Sequence, residues 1–222
     1  MNASRLRNLW SIMPDRATLG YQVQPSLGVY AAAVPVNDCW WRPAQTDELL
    51  PSFGVAVRSL RTWFIPKTKT TIVPAIGDLI TNAVTAIDPV VYPWVVTGLQ
   101  DVGALGTWRL DSISLSLQAN LRGSLTFSRP DDAVDSSYRP FPIYTEYATA
   151  IPSRVQPEDG SAVEVFDRIT LPSKFTAVLG VRVAVRAKDR AVDDNGNTYT
   201  ILSSEMPERL DEMQRLALEV IL

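Results

Sequence analysis

One long-period pattern occurs twice in this 222-residue chain, and it constrains the fold more than any local motif does. Self-similarity at a fixed spacing means that one structural unit is used again, so it has to be settled before a fold is assigned. Late in each half an aromatic residue leads an aliphatic pair and small polar residues. These are Trp94-Val95-Val96-Thr97-Gly98 and Tyr199-Thr200-Ile201-Leu202-Ser203, at an offset of 105. Trp108-Arg109-Leu110 and Gln214-Arg215-Leu216 follow at an offset of 106. Upstream, Ala75-Ile76-Gly77-Asp78-Leu79-Ile80 stands opposite Ala187-Lys188-Asp189-Arg190-Ala191-Val192, with Asp78 and Asp189 offset by 111. Further upstream, Trp41-Arg42-Pro43 faces Val155-Gln156-Pro157, and Trp63-Phe64-Ile65 faces Phe175-Thr176-Ala177. The order is the same in both halves, which predicts a tandem duplication dividing the chain into 1–120 and 121–222.

Short β-branched and aromatic runs broken by Pro, Gly, Asn and Asp predict an all-β chain with many turns. In the second half, Val181 to Arg186 alternates like a strand, Asp194-Asn195-Gly196-Asn197 turns the chain, and Thr198 to Leu202 returns it. Asn-Gly suits a type I′ turn, whose two central residues both need positive φ. Residues Pro207 to Leu222 fit a helix with Pro207 at its first position, yet Leu216, Leu218, Val220 and Leu222 alternate like a strand. The counterpart, Arg109 to Leu117, alternates between β-favouring neighbours. The repeat therefore favours a short helical turn near 207–212 and a strand from about 214. Near the N-terminus, Ser4-Arg5-Leu6-Arg7-Asn8-Leu9-Trp10 predicts one or two further helical turns.

Composition sets limits on chemistry. The chain has no histidine, which excludes a Ser-His-Asp triad, a Cys-His pair and any histidine-ligated metal. Cys39 is the single cysteine and cannot close an internal disulfide. Asp193, Asp194, Asn195 and Asn197 resemble a calcium loop in composition alone: the EF-hand glycine position falls on Thr198 and the bidentate glutamate position on Ser204. Paired carboxylates for glycoside hydrolysis need no histidine, but no second motif orients an acid and a base here, and there is no G-x-x-x-x-G-K loop. The expectation is a non-enzymatic protein without cofactor or metal. Residues 1–120 carry 9 Lys/Arg against 8 Asp/Glu and residues 121–222 carry 12 against 16, so the halves are +1 and −4. Neither forms a basic stripe that would neutralise many phosphates. No apolar run reaches the length of a membrane span, and no apolar leader follows the first residues.

Several motifs, in order, resemble the phage head-to-tail joining family, also called head-closure or stopper proteins. Met13-Pro14-Asp15-Arg16-Ala17-Thr18-Leu19 resembles its opening proline, aspartate and strand. Arg154-Val155-Gln156-Pro157 resembles its aliphatic-Gln-Pro strand end, matched loosely by Trp41-Arg42-Pro43. A charged stretch from Glu158 to Arg168 precedes a strand-like Ser173-Lys174-Phe175-Thr176-Ala177-Val178. The ending resembles the family's Asp-x-Gly hairpin in Val192 to Tyr199, its Tyr-x-Ile strand in Tyr199-Thr200-Ile201, and its final strand in Arg215-Leu216-Ala217-Leu218. The match covers nearly the whole second half; the first departs in its long Asn82 to Pro93 connector.

The resemblance implies a compact β-barrel, ring assembly and a place beneath the portal; with the repeat and the local patterns above, the expectation is an all-β chain of two tandem small β-barrel domains with short terminal helical turns, a departure from the family's usual single-domain form. The resemblance also implies a structural virion protein, assembled in the host cytoplasm. Copies would form a ring in the neck between the portal or adaptor protein above and a tail terminator or tail protein below. Viral DNA would pass through the ring without sequence-specific binding, and the ring would provide and gate that channel. The competing reading is a tail or baseplate β-barrel module that binds carbohydrate or protein. The segments after the two proline motifs supply candidate pore-facing acids: Asp47 and Glu48 in the first half, Glu158, Asp159 and Glu164 in the second. Trp10, Trp40 and Trp41 are candidate interface residues. Trp40 and Trp41 are adjacent, so in a strand one faces inward and the other outward.

Overall fold

The computed structural model describes residues 17–43, 59–81, 92–134, 140–158, 164–165, 168–169 and 174–221. The chain is mostly β and divides into two compact units, Met1–Gln118 and Ala119–Leu222. No helix among the described residues is long and apolar enough to cross a membrane.

The first unit contains strands β1 (Ala17–Gln22), β2 (Val34–Pro43), β3 (Leu60–Pro66), β4 (Leu79–Thr81), β5 (Pro93–Val102) and β6 (Thr107–Ile113). They close into a barrel in the order β1-β2-β3-β6-β5-β4, every pairing antiparallel. Closure leaves this barrel wall without an open edge. Alternation places Leu19, Tyr21, Trp63, Ile65, Ile80, Trp94, Val96 and Leu110 in one buried core. The alternation foreseen through Leu117 stops at Ile113. Leu115–Gln118 forms a single helical turn, closed by the Gln118 amide donating to the Ser114 carbonyl.

The second unit contains β7 (Gly123–Val134), β8 (Pro140–Pro157), β11 (Lys174–Leu179), β12 (Arg190–Asp193), β13 (Thr198–Glu205) and β14 (Gln214–Ile221). They also close, in the order β11-β14-β13-β12-β7-β8. Between them, β9 (Glu164–Val165) and β10 (Arg168–Ile169) pair as a separate two-stranded sheet. Leu125, Phe127, Ala177, Leu179, Tyr199, Ile201, Leu216 and Leu218 form the core.

Started from β1 and from β7, the two cyclic orders coincide strand for strand. Details coincide as well. Ile80 pairs with Trp94, and Ala191 pairs with Tyr199. One extra residue interrupts the ladder at Thr97, between Val96 and Gly98, and another at Leu202, between Ile201 and Ser203. Such bulges sharpen the strand bend that a small barrel needs. One sequence match shifts: Trp63 pairs with Leu110 while Ala177 pairs with Leu216. Phe175 therefore corresponds to Arg61, two residues from Trp63, on the same face.

Three local expectations are corrected. The hairpin strand before the Asn-Gly turn is Arg190–Asp193, not Val181 to Arg186. There the Gln214 side chain takes the place of a neighbouring strand: its Oε1 accepts from the Val183 amide at 2.8 Å and its Nε2 donates to the Val183 carbonyl at 2.9 Å. The turn is not type I′, because only Gly196 has positive φ, at 84°, while the Gly196 amide donates to the Asp193 carbonyl. That is the three-residue loop with a left-handed glycine. Finally, 207–212 is not helical. Only a hairpin loop joins antiparallel β13 to β14, with the Glu212 amide reaching the Arg209 carbonyl at 3.3 Å.

Candidate functional site

A buried aspartate organises the same end of each barrel. Asp78, 1% exposed, lies just before β4. Its Oδ2 accepts from the Tyr21 hydroxyl at 2.6 Å and the Ala75 amide at 2.8 Å, and its Oδ1 accepts from the Gln24 amide at 2.8 Å. A buried carboxylate is tolerable only when donors satisfy it, and these three come from β1, the loop after it and the turn before β4. Burial, reinforced by the hydrogen bond to the Asp78 carboxylate, pushes the Tyr21 phenol far above its usual range.

Asp189 holds the equivalent position before β12. It accepts from Arg129 Nε at 3.2 Å and Nη2 at 2.9 Å, from the Tyr147 hydroxyl at 2.8 Å and from the Arg186 amide at 3.0 Å. Burial opposes its charge, but Arg129, the Arg186 amide and Tyr147 outweigh burial and hold the carboxyl below the usual range. The backbone agrees in both units: the Val96 amide donates to the Asp78 carbonyl and the Ile201 amide to the Asp189 carbonyl, each at 2.9 Å.

What each clamp holds differs. In the first unit it ties together two loops that carry no charge: Ala17 through Asn37 and Thr70 through Gly77 contain no Asp, Glu, Lys or Arg. Ten large apolar side chains are exposed among the described residues, and five of them, Leu27, Val29, Val34, Val73 and Ile76, lie on these loops or at their junction with β2. Solvated turns ordinarily carry polar residues. These exposed apolar side chains on one pinned pair of loops are termed the platform.

In the second unit the clamp roots a ribbon. The barrel wall uses Leu125–Ser128 of β7 and Ser153–Pro157 of β8, which pair with β12 and β11. Beyond them, six rungs from Arg129↔Thr145 to Val134↔Pro140 pair, among the described residues, only with each other. Arg129 and Tyr147 sit at the base of this ribbon, and both grip Asp189.

The residues singled out from sequence are described only in part. Asp47, Glu48, Asp159 and Trp10 lie outside the described residues. Glu164 belongs to β9, its side chain outside them too. Glu158 is exposed at the end of β8, where its amide donates to the Lys174 carbonyl at 3.1 Å, beside an open depression lined by Gln156, Pro157 and Thr176. Trp40 and Trp41 are both half-buried on opposite faces. Trp40 stacks on Phe64 with ring centroids 3.6 Å apart. Trp41 packs on the core beside Trp63, with the Arg61 guanidinium 3.9 Å from its ring centre and 4.3 Å from that of Trp94.

Nucleophilic and metal chemistry find little footing among the described residues. Cys39 is fully buried, and burial together with the Asp38 charge pushes its thiol up to about 12, so it stays protonated. Asp193 already accepts from the Asn195 and Asn197 amides, the Asn197 side chain and the Tyr199 hydroxyl. Among the described residues, no group of three or more acidic, cysteine or histidine residues could hold a metal ion.

Sequence reasoning overlooked the platform and the ribbon. The uninterrupted absence of charge from Ala17 to Asn37 was the readable sign of the first. Comparisons with protein-family models, with curated proteins and with solved structures find no match to this chain.

Proposed function

We propose that this chain is a structural neck protein of a tailed phage, a tandem duplication of one small barrel domain divided near residue 120. Its copies assemble as a ring between a portal or adaptor protein and the tail, and DNA passes through the ring. The observation that carries this reading is the pair of barrels with one shared strand order, both clamped by an aspartate at the same place and differing in what they present. A stability device kept in both halves, beside loops that have diverged into an apolar platform and a ribbon, suits a protein whose work is assembly. The motif order resembling the joining family supports placing that assembly beneath the portal. On this reading the segments bearing Asp47, Glu48, Glu158, Asp159 and Glu164 face the channel, where a weakly acidic wall lets DNA slide without holding it.

Phage particles produced without the chain test the assignment. The neck role predicts DNA-filled heads and free tails that fail to join, seen by electron microscopy. Complete tailed particles that are defective only in host attachment would contradict it and favour the carbohydrate- or protein-binding tail module.

A further inference from the structure

The ribbon leaves the second barrel through an interrupted stretch of its own ladder. Between Leu125↔Ile151 and Phe127↔Ala148 one residue of β8 is unmatched, and between Phe127↔Ala148 and Ser128↔Glu146 Tyr147 is unmatched too. Bulges bend a strand and break its pairing locally. Ala150, inside the first bulge, is left-handed at φ 51°, a conformation that disfavours a residue with a Cβ. In the first unit Tyr21 stands where Phe127 does, pairing with Ile80 as Phe127 pairs with Ala191. There the register runs unbroken from Leu19↔Val36 to Tyr21↔Val34, and β1 and β2 then part into the uncharged loop. The two bulges therefore belong to the ribbon and not to the barrel plan.

Side chains span the interruption, and all of them reach the loop before β12 and its first residue. Arg129, on the first rung of the ribbon, donates from Nε and Nη2 to Asp189, and from Nη2 to the Ala184 carbonyl at 2.8 Å. Tyr147, re-aimed by its bulge, donates its hydroxyl to the same carboxylate, and the Arg129 guanidinium lies 4.6 Å from its ring centre. Next to Asp189, the Arg190 guanidinium stands 3.6 Å from the ring centre of Tyr144. The Asp189 side chain is 2% exposed and that of Arg129 31%, so the anchor is sealed in the barrel while the ribbon's half of the ion pair meets solvent.

We infer that the ribbon is a hinged arm. The double bulge opposite Phe127 and Ser128 is the hinge, and the contacts of Arg129, Tyr144 and Tyr147 with Asp189 and Arg190 are the latch that holds the arm at one angle to its own barrel. Two strands on bulged rungs have little backbone to fix their direction, whereas one carboxylate taking charge-assisted bonds from both strands does fix it. Opening the latch frees the arm and leaves the barrel closed, because β8 pairs with β11 through Ser153–Pro157, clear of the bulged residues. The inference concerns the second unit alone and does not depend on the ring reading.

Spin labels at Ile143→Cys on the ribbon and Glu219→Cys on β14, both exposed positions, read the angle as a distance by double electron-electron resonance; buried Cys39 adds little background. The latched chain is expected to give one narrow distance distribution. Arg129→Met combined with Asp189→Asn opens the latch without leaving a lone buried charge. It is expected to broaden the distribution at least twofold, with amide exchange in β11 and β14 still protected. Tyr147→Phe, the milder change, is expected to broaden it less. A distribution as narrow in both variants as in the latched chain shows that the ladder alone sets the angle and overturns the latch. A broad distribution in the latched chain overturns it as well. Protection lost from β11 and β14 in both variants also overturns it, by showing that these contacts hold the barrel together and not the arm.

Discussion

Tyr21 donates its hydroxyl hydrogen to Asp78 across 2.6 Å, fastening β1 to the turn that opens β4, with both residues buried. Removing the hydroxyl leaves a buried acceptor short of one donor, which costs about 1–3 kcal/mol. Tyr21→Phe is therefore expected to lower the urea midpoint without changing its slope. Asp78→Ala is expected to cost more, because the Gln24 and Ala75 amides lose their acceptor as well.

Asp189 makes the second unit sensitive to acid. Its folded pKa lies below the unfolded value, so its contribution is complete above the unfolded pKa of about 4 and is lost as pH falls through the folded pKa. Wild-type melting temperature is expected to hold from neutral pH down to about 4 and then drop. Asp189→Asn should be less stable at neutral pH and show a shallower acid decline. Parallel melting curves of the two proteins below that pH would refute the assignment. Asp193, also held low, keeps part of the acid limb in either protein.

Gly77 and Lys188 occupy corresponding turns of the two units, with φ of 96° and 74°. A left-handed conformation costs a non-glycine residue about 1 kcal/mol or more, so Lys188→Gly is expected to stabilise by roughly 0.5–1 kcal/mol. Gly77→Ala is expected to destabilise, because a side chain at φ 96° is strained, and the Gln24 side chain, whose Oε1 would stand 2.6 Å from the new Cβ, has to move as well. Chemical denaturation of the two variants, compared with wild type, checks both signs.

Cys39 should resist thiol reagents until the first unit unfolds, since its side chain is buried in the core. Cys39→Ser is expected to cost about 1–3 kcal/mol for a buried hydroxyl while assembly and infectivity survive. Loss of assembly in a folded Cys39→Ser protein would reveal a role for the thiol.

Much of the fold was legible because its signals are local. Asp78 and Asp189 stand out in sequence since a carboxylate that accepts backbone amides three residues upstream, at Ala75 and Arg186, keeps its place in the chain. Arg129 and Tyr147 were not legible: they lie 60 and 42 residues from the carboxylate they grip. Val181 to Arg186 read as a strand because valines alternate there, but the Gln214 side chain, 31 residues on from Val183, decides its backbone partners. The turn at 207–212 read as helical because Pro207 and the spacing of Leu210 and Met213 also suit a hairpin loop. The platform went unnoticed because apolar residues in turns look like core until their exposure is known.

The acidic segments give a prediction about the channel. Replacing Asp47 and Glu48, or Glu158, Asp159 and Glu164, with lysine is expected to slow DNA ejection or let packaged DNA leak while rings still form. Packaging and ejection unchanged by both reversals would remove these residues from the channel wall.

The most direct measurement is cryo-electron microscopy of the purified wild-type chain in its assembled form. The account predicts a closed ring of identical copies whose central pore admits duplex DNA. A single chain, or a compact trimer with no pore, would contradict it.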